Sequence, residues 1–477
     1  MYRDTGAGEA PNPPALMCLV MILQGYAQVS DAEAVARSMA DSRWRLVLDS
    51  LEISGPLFSQ GALQQFRERL IAHDMDQRLL ERTVEVARET GAFDSKQLPK
   101  KLRIGLDSRP LLGAGRVEDT FNLLGHAARK VVACIAKKVG IERGTICREA
   151  KCPLFMASSV KAGLDVDWSD AEQKLEAINR LADEVESLVD WVERALPSSA
   201  VDERIQFYLD ALDEFEEQDL ERMPDGTVKI RDGVAKDRRV SVEDPDMRHG
   251  RKSKNKSFTG FKEHIAGELD NRLILACTVT PANVPEQEAA DVLKADIEGQ
   301  GLEIGELFVD RAYVGSDAVK EIEQAGGEVV SKPWRIAPNK SGLYTKADFH
   351  INIRDKTITC PAGQTMDFEF GQSVEFSPSD CALCPQRNQC TERPLGRGRT
   401  VNITADEARQ KRWRKNQASK KGRERLRIRT GIEHQLAHTS ARKGSRARYR
   451  GTRKNIFDLR RTSAIQNLQT IQRKMAA

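Results

Sequence analysis

At 477 residues the chain is long enough for roughly two to four domains and a sizeable core. Its 40% hydrophobic, 31% charged and 5% aromatic residues, with a net charge of +4, read as soluble and globular, with no internal repeat or low-complexity tract. The longest apolar run, residues 15–23, falls short of the about 20 residues a bilayer span needs, and Met1-Tyr2-Arg3-Asp4 opens no signal-peptide pattern, so a cytoplasmic protein with no membrane partner is expected.

Residues 1–100 read as an N-terminal helical domain. Ser30-Asp31-Ala32-Glu33 has the spacing of a capping box, and Val35, Met39, Trp44, Val47 and Leu48 follow at roughly helical intervals. A second helix is predicted over 63–71, with Leu63, Phe66, Leu70 and Ile71 on one face. Two readings fit these helices: a helix-turn-helix DNA reader or a plain packing domain. At residue 102 the period changes, because Leu102, Ile104 and Leu106 alternate as in a strand. That strand is predicted to end at Asp107, before a turn at Ser108-Arg109-Pro110. Helices are expected from about 120 to 225, closed by a turn at Pro224-Asp225-Gly226. Strands over 258–269 and 273–279 flank a turn at Asp270-Asn271, and Pro281 and Pro285 precede a helix over 286–298. A strand over 305–310 again ends in Asp, at Asp310. A short helix over 316–325 and a strand at Val329-Val330 complete a pattern of strands joined by helices, which predicts a mixed α/β or α+β sheet.

Residues 346–400 interrupt that pattern. Beyond them Thr404-Ala405-Asp406-Glu407 is a second capping-box sequence, opening a basic helical region to about residue 439. A final helix has Phe457, Ala464, Leu468 and Ile471 as its apolar seam. The expected division is therefore 1–100; a core over 101–345 with a helical insertion at about 120–230; a Cys-rich insertion over 346–400; and C-terminal core helices over 401–477.

Charge is unevenly spread. Residues 165–225 hold 20 acidic and 5 basic residues, whereas 391–477 hold 25 basic and 6 acidic. The basic tail suits a polyanionic partner, or else forms a solvated, salt-bridged helix surface. Lys411, Arg412, Arg414 and Lys415 are its candidate phosphate contacts. Lys252, Lys254, Lys256 and Lys262, beside the second and third strands, are candidates to hold a DNA backbone without reading sequence.

Nine cysteines, an odd number, argue against a disulfide framework. Cys360, Cys381, Cys384 and Cys390 are spaced x20, x2 and x5, and four thiolates suit a closed tetrahedral Zn²⁺ site in a small zinc-ribbon-like insertion. Free buried thiols or a redox pair are the alternatives, the latter disfavoured because the CxxC does not open a helix after a strand. Cys147 and Cys152 are left unassigned.

A carboxylate at the end of an apolar strand is costly to bury unless it is paired or binds a cation, so Asp107 and Asp310 suggest a Mg²⁺ site, although a strand-end Asp is also an ordinary helix cap. Farther on, Ile428, Ile432 and Leu436 form a buried helical stripe, with Arg425, Arg429 and Glu433 beside it. Arg429 and Glu433 alone are a plain helix salt bridge.

Together, Asp107, Asp310 and the helical Arg429-x-x-x-Glu433 resemble the Asp-Asp-Glu triad of bacterial insertion-sequence DDE transposases. Leu106-Asp107-Ser108 with 113–120, Asp244-Pro245-Asp246-Met247-Arg248, Gly260-Phe261-Lys262, Val279-Thr280-Pro281-Ala282-Asn283 and Asp310-Arg311-Ala312-Tyr313 resemble one branch's blocks, in order. The family's pattern places a Tyr three residues before the Arg and a basic residue seven after the Glu; here these are Leu426 and Ser440, with Arg442 and Lys443 slightly farther on. The resemblance implies an RNase H-like core in which Asp107, Asp310 and Glu433 hold two Mg²⁺ (or Mn²⁺) ions and Arg429 orients Glu433 or contacts a phosphate. It further implies double-stranded DNA, both transposon ends and target, as partner, and a nucleoid-associated homodimer assembled on it. The implied reactions are strand cleavage by water and strand transfer by the freed 3′-hydroxyl. A nuclease of the same fold without strand transfer, or a DNA-binding derivative that has lost catalysis, is the alternative.

Overall fold

The structure, a computed structural model, describes residues 11–93, 101–253, 255–336 and 341–476; Lys254 lies outside the described residues. Six strands, β1 (Leu102–Leu112), β2 (Arg248–Ser253), β3 (Lys256–Glu268), β4 (Leu273–Pro281), β5 (Ile304–Phe308) and β6 (Glu328–Val330), build the main sheet. β3 pairs antiparallel with β1, β2 and β4, whereas β1–β5 and β5–β6 are parallel. The connections explain the directions. A tight turn at Asp270-Asn271 makes β3 and β4 a hairpin, while helices Glu286–Gly299 and Asp317–Gln324 cross over before β5 and β6. The mixed α/β expectation holds.

β1 departs from its prediction. It runs on through Ser108-Arg109-Pro110 to Leu112, so Asp107 stands mid-strand. Pro110 is tolerated because it faces Lys262 on β3, while the pairing of β1 with β5 stops at Gly105 and requires no N–H from Pro110 on that edge.

Apolar side chains cover both sheet faces. Ile104, Leu106, Leu275, Leu293, Leu307 and Tyr313 centre one cluster; Leu111, Phe261, Ile265, Cys277, Ile432 and Leu459 centre the other. The last helix, Thr452–Met475, packs on β4 and on Met75–Glu89. Phe457, Ala464 and Ile471 are buried as expected and Leu468 partly so, but the helix is buried on most sides, with Asp458, Arg460, Arg461 and Asn467 inside. The Asn467 carboxamide accepts from the Ile274 N–H and donates to its carbonyl, both at 2.8 Å, satisfying backbone groups of β4.

N-terminal helices Pro14–Ala27, Asp31–Ala40, Ser42–Val47, Gln60–Ala72 and Met75–Glu89 follow. Met17, Trp44, Leu63, Phe66 and Leu70 pack around Phe457 of the last helix, so this part completes its core on the C-terminal one. Met39 and Val47 are exposed, because the helix breaks at Asp41 and the period restarts. The first capping box is half formed: Ser30 Oγ accepts from the Glu33 N–H at 3.1 Å, but the Glu33 carboxylate pairs with Arg37 at 2.6 Å. At the second, the helix begins only at Glu407, and Thr404 donates to the buried Glu407 carboxylate at 3.0 Å.

The insertion has its own core, including Leu124, Val131, Ile135, Ile178, Leu181 and Phe215. It contains helices Thr120–Val139, Ala171–Ala195 and Glu203–Asp219, and the Pro224-Asp225-Gly226 turn joins a hairpin of Leu220–Arg222 and Val228–Ile230. The Cys-rich segment folds as a three-stranded sheet and a two-stranded pair around Phe349, Ile351, Ile358, Phe376 and Ile403. The basic region divides into helices Glu407–Ala418, Lys420–Arg427 and Thr430–Lys443, so Arg425 and Glu433 do not share one helix. Among the described residues no single helix is long and apolar enough to cross a membrane.

Candidate active site

Gly105 on β1 pairs with Phe308 on the parallel strand β5. Continuing that register by two residues sets Asp107 beside Asp310, just beyond the end of β5. Neighbouring strands lie about 4.8 Å apart, and the period-two pleat keeps residues two apart on one face. Asp310 is exposed and caps the turn Arg311–Tyr313 by accepting from the Arg311 N–H at 2.7 Å. It is thus both the predicted strand-end carboxylate and an ordinary cap.

A glycine pair seats the third carboxylate. Gly105 and Gly267 stand opposite each other on β1 and β3. A Cβ at Gly105 would meet Ile432 Cβ at 2.8 Å, and one at Gly267 would meet Gln435 Oε1 at 2.2 Å. Only bare backbone lets the Thr430–Lys443 helix lie this close to the sheet. Ile432 and Leu436 are buried in the seam, Ile428 is half-buried, and Glu433 is left exposed at the rim.

Arg429 links the carboxylates. Its guanidinium forms an ion pair with Glu433 and stands 3.7 Å from Asp107 Oδ1. Arg425, predicted on the same stripe, instead pairs with Glu328 and Glu306. The Asp107 side chain is 19% exposed and accepts from the Ser108 N–H at 3.0 Å. Burial pushes its pKa up to about 6; Arg429 opposes the rise, and the charges of Glu433 and Asp310 add to it. A cation would relieve this crowding of acceptor oxygens. Among the described residues, no group of three or more His, Cys, Asp or Glu side chains is closed up around a point as a bound metal ion requires. At the carboxylates, Arg429 occupies the space between Asp107 and Glu433.

Behind the carboxylates lies a buried pair that the sequence reading did not single out. His264 Nδ1 meets the Tyr313 hydroxyl at 2.8 Å and its Nε2 meets Thr280 Oγ1 at 2.9 Å. Burial lowers the His264 pKa to about 3, so the ring is neutral at pH 7. Beside Asp310, Arg311, Lys332, Trp334, Arg335 and Arg414 border an open hollow of about 380 Å³, with Trp334 half exposed.

Of the two positions that depart from the family's pattern, Ser440 has a partner in the fold. Ser440 accepts from Arg109 at 2.6 Å. Lys443 does not substitute as a surface cation, because it is buried between Glu263 at 2.7 Å and Asp458 at 3.0 Å. Arg442 donates to the Tyr26 carbonyl and to Gln469. Leu426 is half-buried.

The proposed phosphate contacts divide. Lys252 and Lys256 are exposed on and beside the edge strand β2. Lys262 is turned inward, donating to the Val284 carbonyl at 2.7 Å, and burial lowers its pKa. In the basic region Lys411 donates to the Ile351 carbonyl, Arg412 pairs with Glu323 at 3.0 Å, and Arg414 pairs with Glu407 at 3.1 Å; Lys415 is exposed. Of these four, Arg412 and Arg414 are therefore neutralised within the fold, and Lys411 and Lys415 are not.

Cys360, Cys381, Cys384 and Cys390 line one cavity of about 40 Å³. Burial raises the Cys390 thiol, with the other three cysteines adding to the rise and Arg399 opposing it. Four thiols are a donor set of the kind zinc takes, but among the described residues they are not closed up around a point as a bound ion requires.

Residues 359–472 match a family model described as the transposase DDE domain, a span holding the four cysteines, Arg429 and Glu433. Neither curated proteins nor solved structures give a significant match. The match shows that residues 359–472 are similar to that domain; Asp107 and Asp310 lie outside the matched span.

Proposed function

We propose that the chain cuts and joins DNA at insertion-sequence ends, with Asp107, Asp310 and Glu433 as its catalytic carboxylates. The observation that carries this reading is the meeting of Asp107 and Glu433, far apart in sequence, on Arg429, with Asp310 set beside Asp107 by strand register. The mixed sheet, with Asp107 on an interior strand, supports an RNase H-like core.

When bound, Mg²⁺ or Mn²⁺ supplies Lewis acidity and neutralises charge at the phosphodiester. The three carboxylates supply hard oxygen ligands fixed by a sheet and a seated helix. Arg429 holds Glu433 in place and, once released from Asp107, can contact a phosphate in bidentate fashion. Neutral His264 holds Tyr313 against the back of the site without adding charge. Lys332, Arg335 and the half-exposed Trp334 beside Asp310 suit a nucleic-acid strand, through phosphate contact and base stacking. The four cysteines would hold a structural zinc that staples the small insertion. By the same reading the partner is duplex DNA, bound by a homodimer.

The test uses a plasmid carrying the DNA that flanks the gene, which on this reading includes terminal inverted repeats. Purified full-length protein with Mg²⁺ should nick at the repeat ends, leave 3′-hydroxyls and join them to target DNA, and a chelator should stop both steps. Cleavage without joining would identify the nuclease alternative. DNA binding without cleavage would identify a derivative that has lost catalysis, to which Leu426 and Ser440 point.

A further inference from the structure

A second cationic site lies at the root of the insertion. Between the segment after β1 and helix Thr120–Val139 is an open hollow of about 460 Å³. Its charged lining is Arg116, Arg129, Lys130 and Arg143, with His126, against one carboxylate, Glu118. That carboxylate is committed, since it is buried and meets His126 Nδ1 at 3.0 Å. Lys130 pairs with Glu243, which also takes Arg450 at 2.6 Å. The three arginines are differently placed. Arg129 donates to the Ser158 carbonyl at 3.0 Å and has no acidic partner among the described residues. Arg116 is largely exposed and reaches Glu118 only at 3.8 Å. Arg143 is exposed on the rim.

Residues 165–225 of the same lobe hold 20 acidic and 5 basic residues. A polyanion is repelled by that surface and admitted at the basic hollow, so the contrast sets a path. Arg116 follows β1 closely, and Leu112 at its end lies about 17 Å from Asp107 at ~3.3 Å per residue, about five base pairs of duplex at ~3.4 Å each. The hollow is too small for a duplex but accepts one edge of its backbone.

We infer that this hollow docks backbone phosphates of the same DNA that enters the Asp107–Asp310–Glu433 site, through Arg116, Arg129 and Arg143. The inference rests on the proposed function and adds where the insertion grips the substrate. Contacts to phosphate give affinity and register rather than base preference.

The experiment compares full-length wild type with R116Q/R129Q/R143Q, measuring affinity for the flanking-DNA duplex across salt and, separately, Mg²⁺-dependent nicking. R116Q/R143Q, which changes only the two exposed side chains, keeps the test valid if the triple variant misfolds. At about 0.9 per phosphate contact, the triple variant's slope of log affinity against log salt should fall by about 2.7. Between 50 and 200 mM salt the wild type should therefore lose about 40-fold more affinity than the variant. The double variant should show a fall of about 1.8. Equal slopes and affinities, with the wild type still nicking, would overturn the docking site and leave the proposed function standing. A changed slope with no nicking by the wild type would sustain the docking site and end the catalytic reading. A wild type that binds no DNA would end both.

Discussion

Replacing Lys443 by Met separates a structural from a DNA-binding role near the position where the family pattern calls for a basic residue. Lys443 is 4% exposed, between Glu263 at 2.7 Å and Asp458 at 3.0 Å, which are 0% and 3% exposed. Arg109 holds Glu263 at 2.5 Å and Arg461 holds Asp458 at 2.8 Å. Burial alone would lower the Lys443 pKa, but the two carboxylates outweigh it and raise it. Breaking a buried ion pair typically costs ~3–5 kcal/mol, and because each carboxylate keeps an arginine, K443M should lie near the low end, about 3 kcal/mol. Urea denaturation of wild type, K443M, D458N and the double variant would measure this, with a coupling of about 1 kcal/mol or more between the two sites. The salt slope of DNA binding should stay unchanged in folded K443M. Stability within about 0.5 kcal/mol of wild type, with a slope lower by ~0.9, would refute the reasoning and make Lys443 a phosphate contact.

Three further outcomes are expected. The unfolded imidazole protonates near pH 6.5, whereas burial lowers folded His264 to about 3, so the unfolded state binds more protons between those values. Stability should fall as pH drops from about 6.5 toward 3, and H264Q should remove part of that slope in denaturation at stepped pH. Elemental analysis should find about one Zn²⁺ per chain, and Cys384→Ser should lower it and weaken the insertion; a stable, metal-free wild type would reject the site. Gly105→Ala should push the Glu433 helix off the sheet at a cost of about 1–3 kcal/mol and depress nicking more than DNA binding. Unchanged nicking would remove the glycine seat from the account.

Much of the sheet was legible because its strands alternate and end at punctuating residues. The hairpin at Asp270-Asn271 and the crossover helices fall where they were predicted. β1 misled because Pro110 reads as a turn; it is tolerable in the strand because the pairing with β5 ends at Gly105, before Pro110. The candidate site residues stood out by spacing and resemblance, but the means of positioning them did not. Gly105 and Gly267 carry no local signal, since what makes them necessary is the Thr430–Lys443 helix, far away in the chain. The last helix escaped a seam-only reading because its buried Asp458, Arg461 and Asn467 look like surface residues until their partners are in place. Likewise, the basic tail is dense in sequence, yet Glu323 and Glu407 neutralise part of it across the fold.

If Asp107, Asp310 and Glu433 act together on DNA, loss of any one of them must stop cleavage. The most direct measurement is Mg²⁺-dependent nicking of the flanking-DNA substrate by D107N, D310N and E433Q, each beside its DNA affinity. No detectable nicking is expected from any of the three, with duplex affinity close to wild type, because each change preserves shape and removes one ligand charge. Nicking at wild-type rate by any one variant would contradict this and remove that residue from the site.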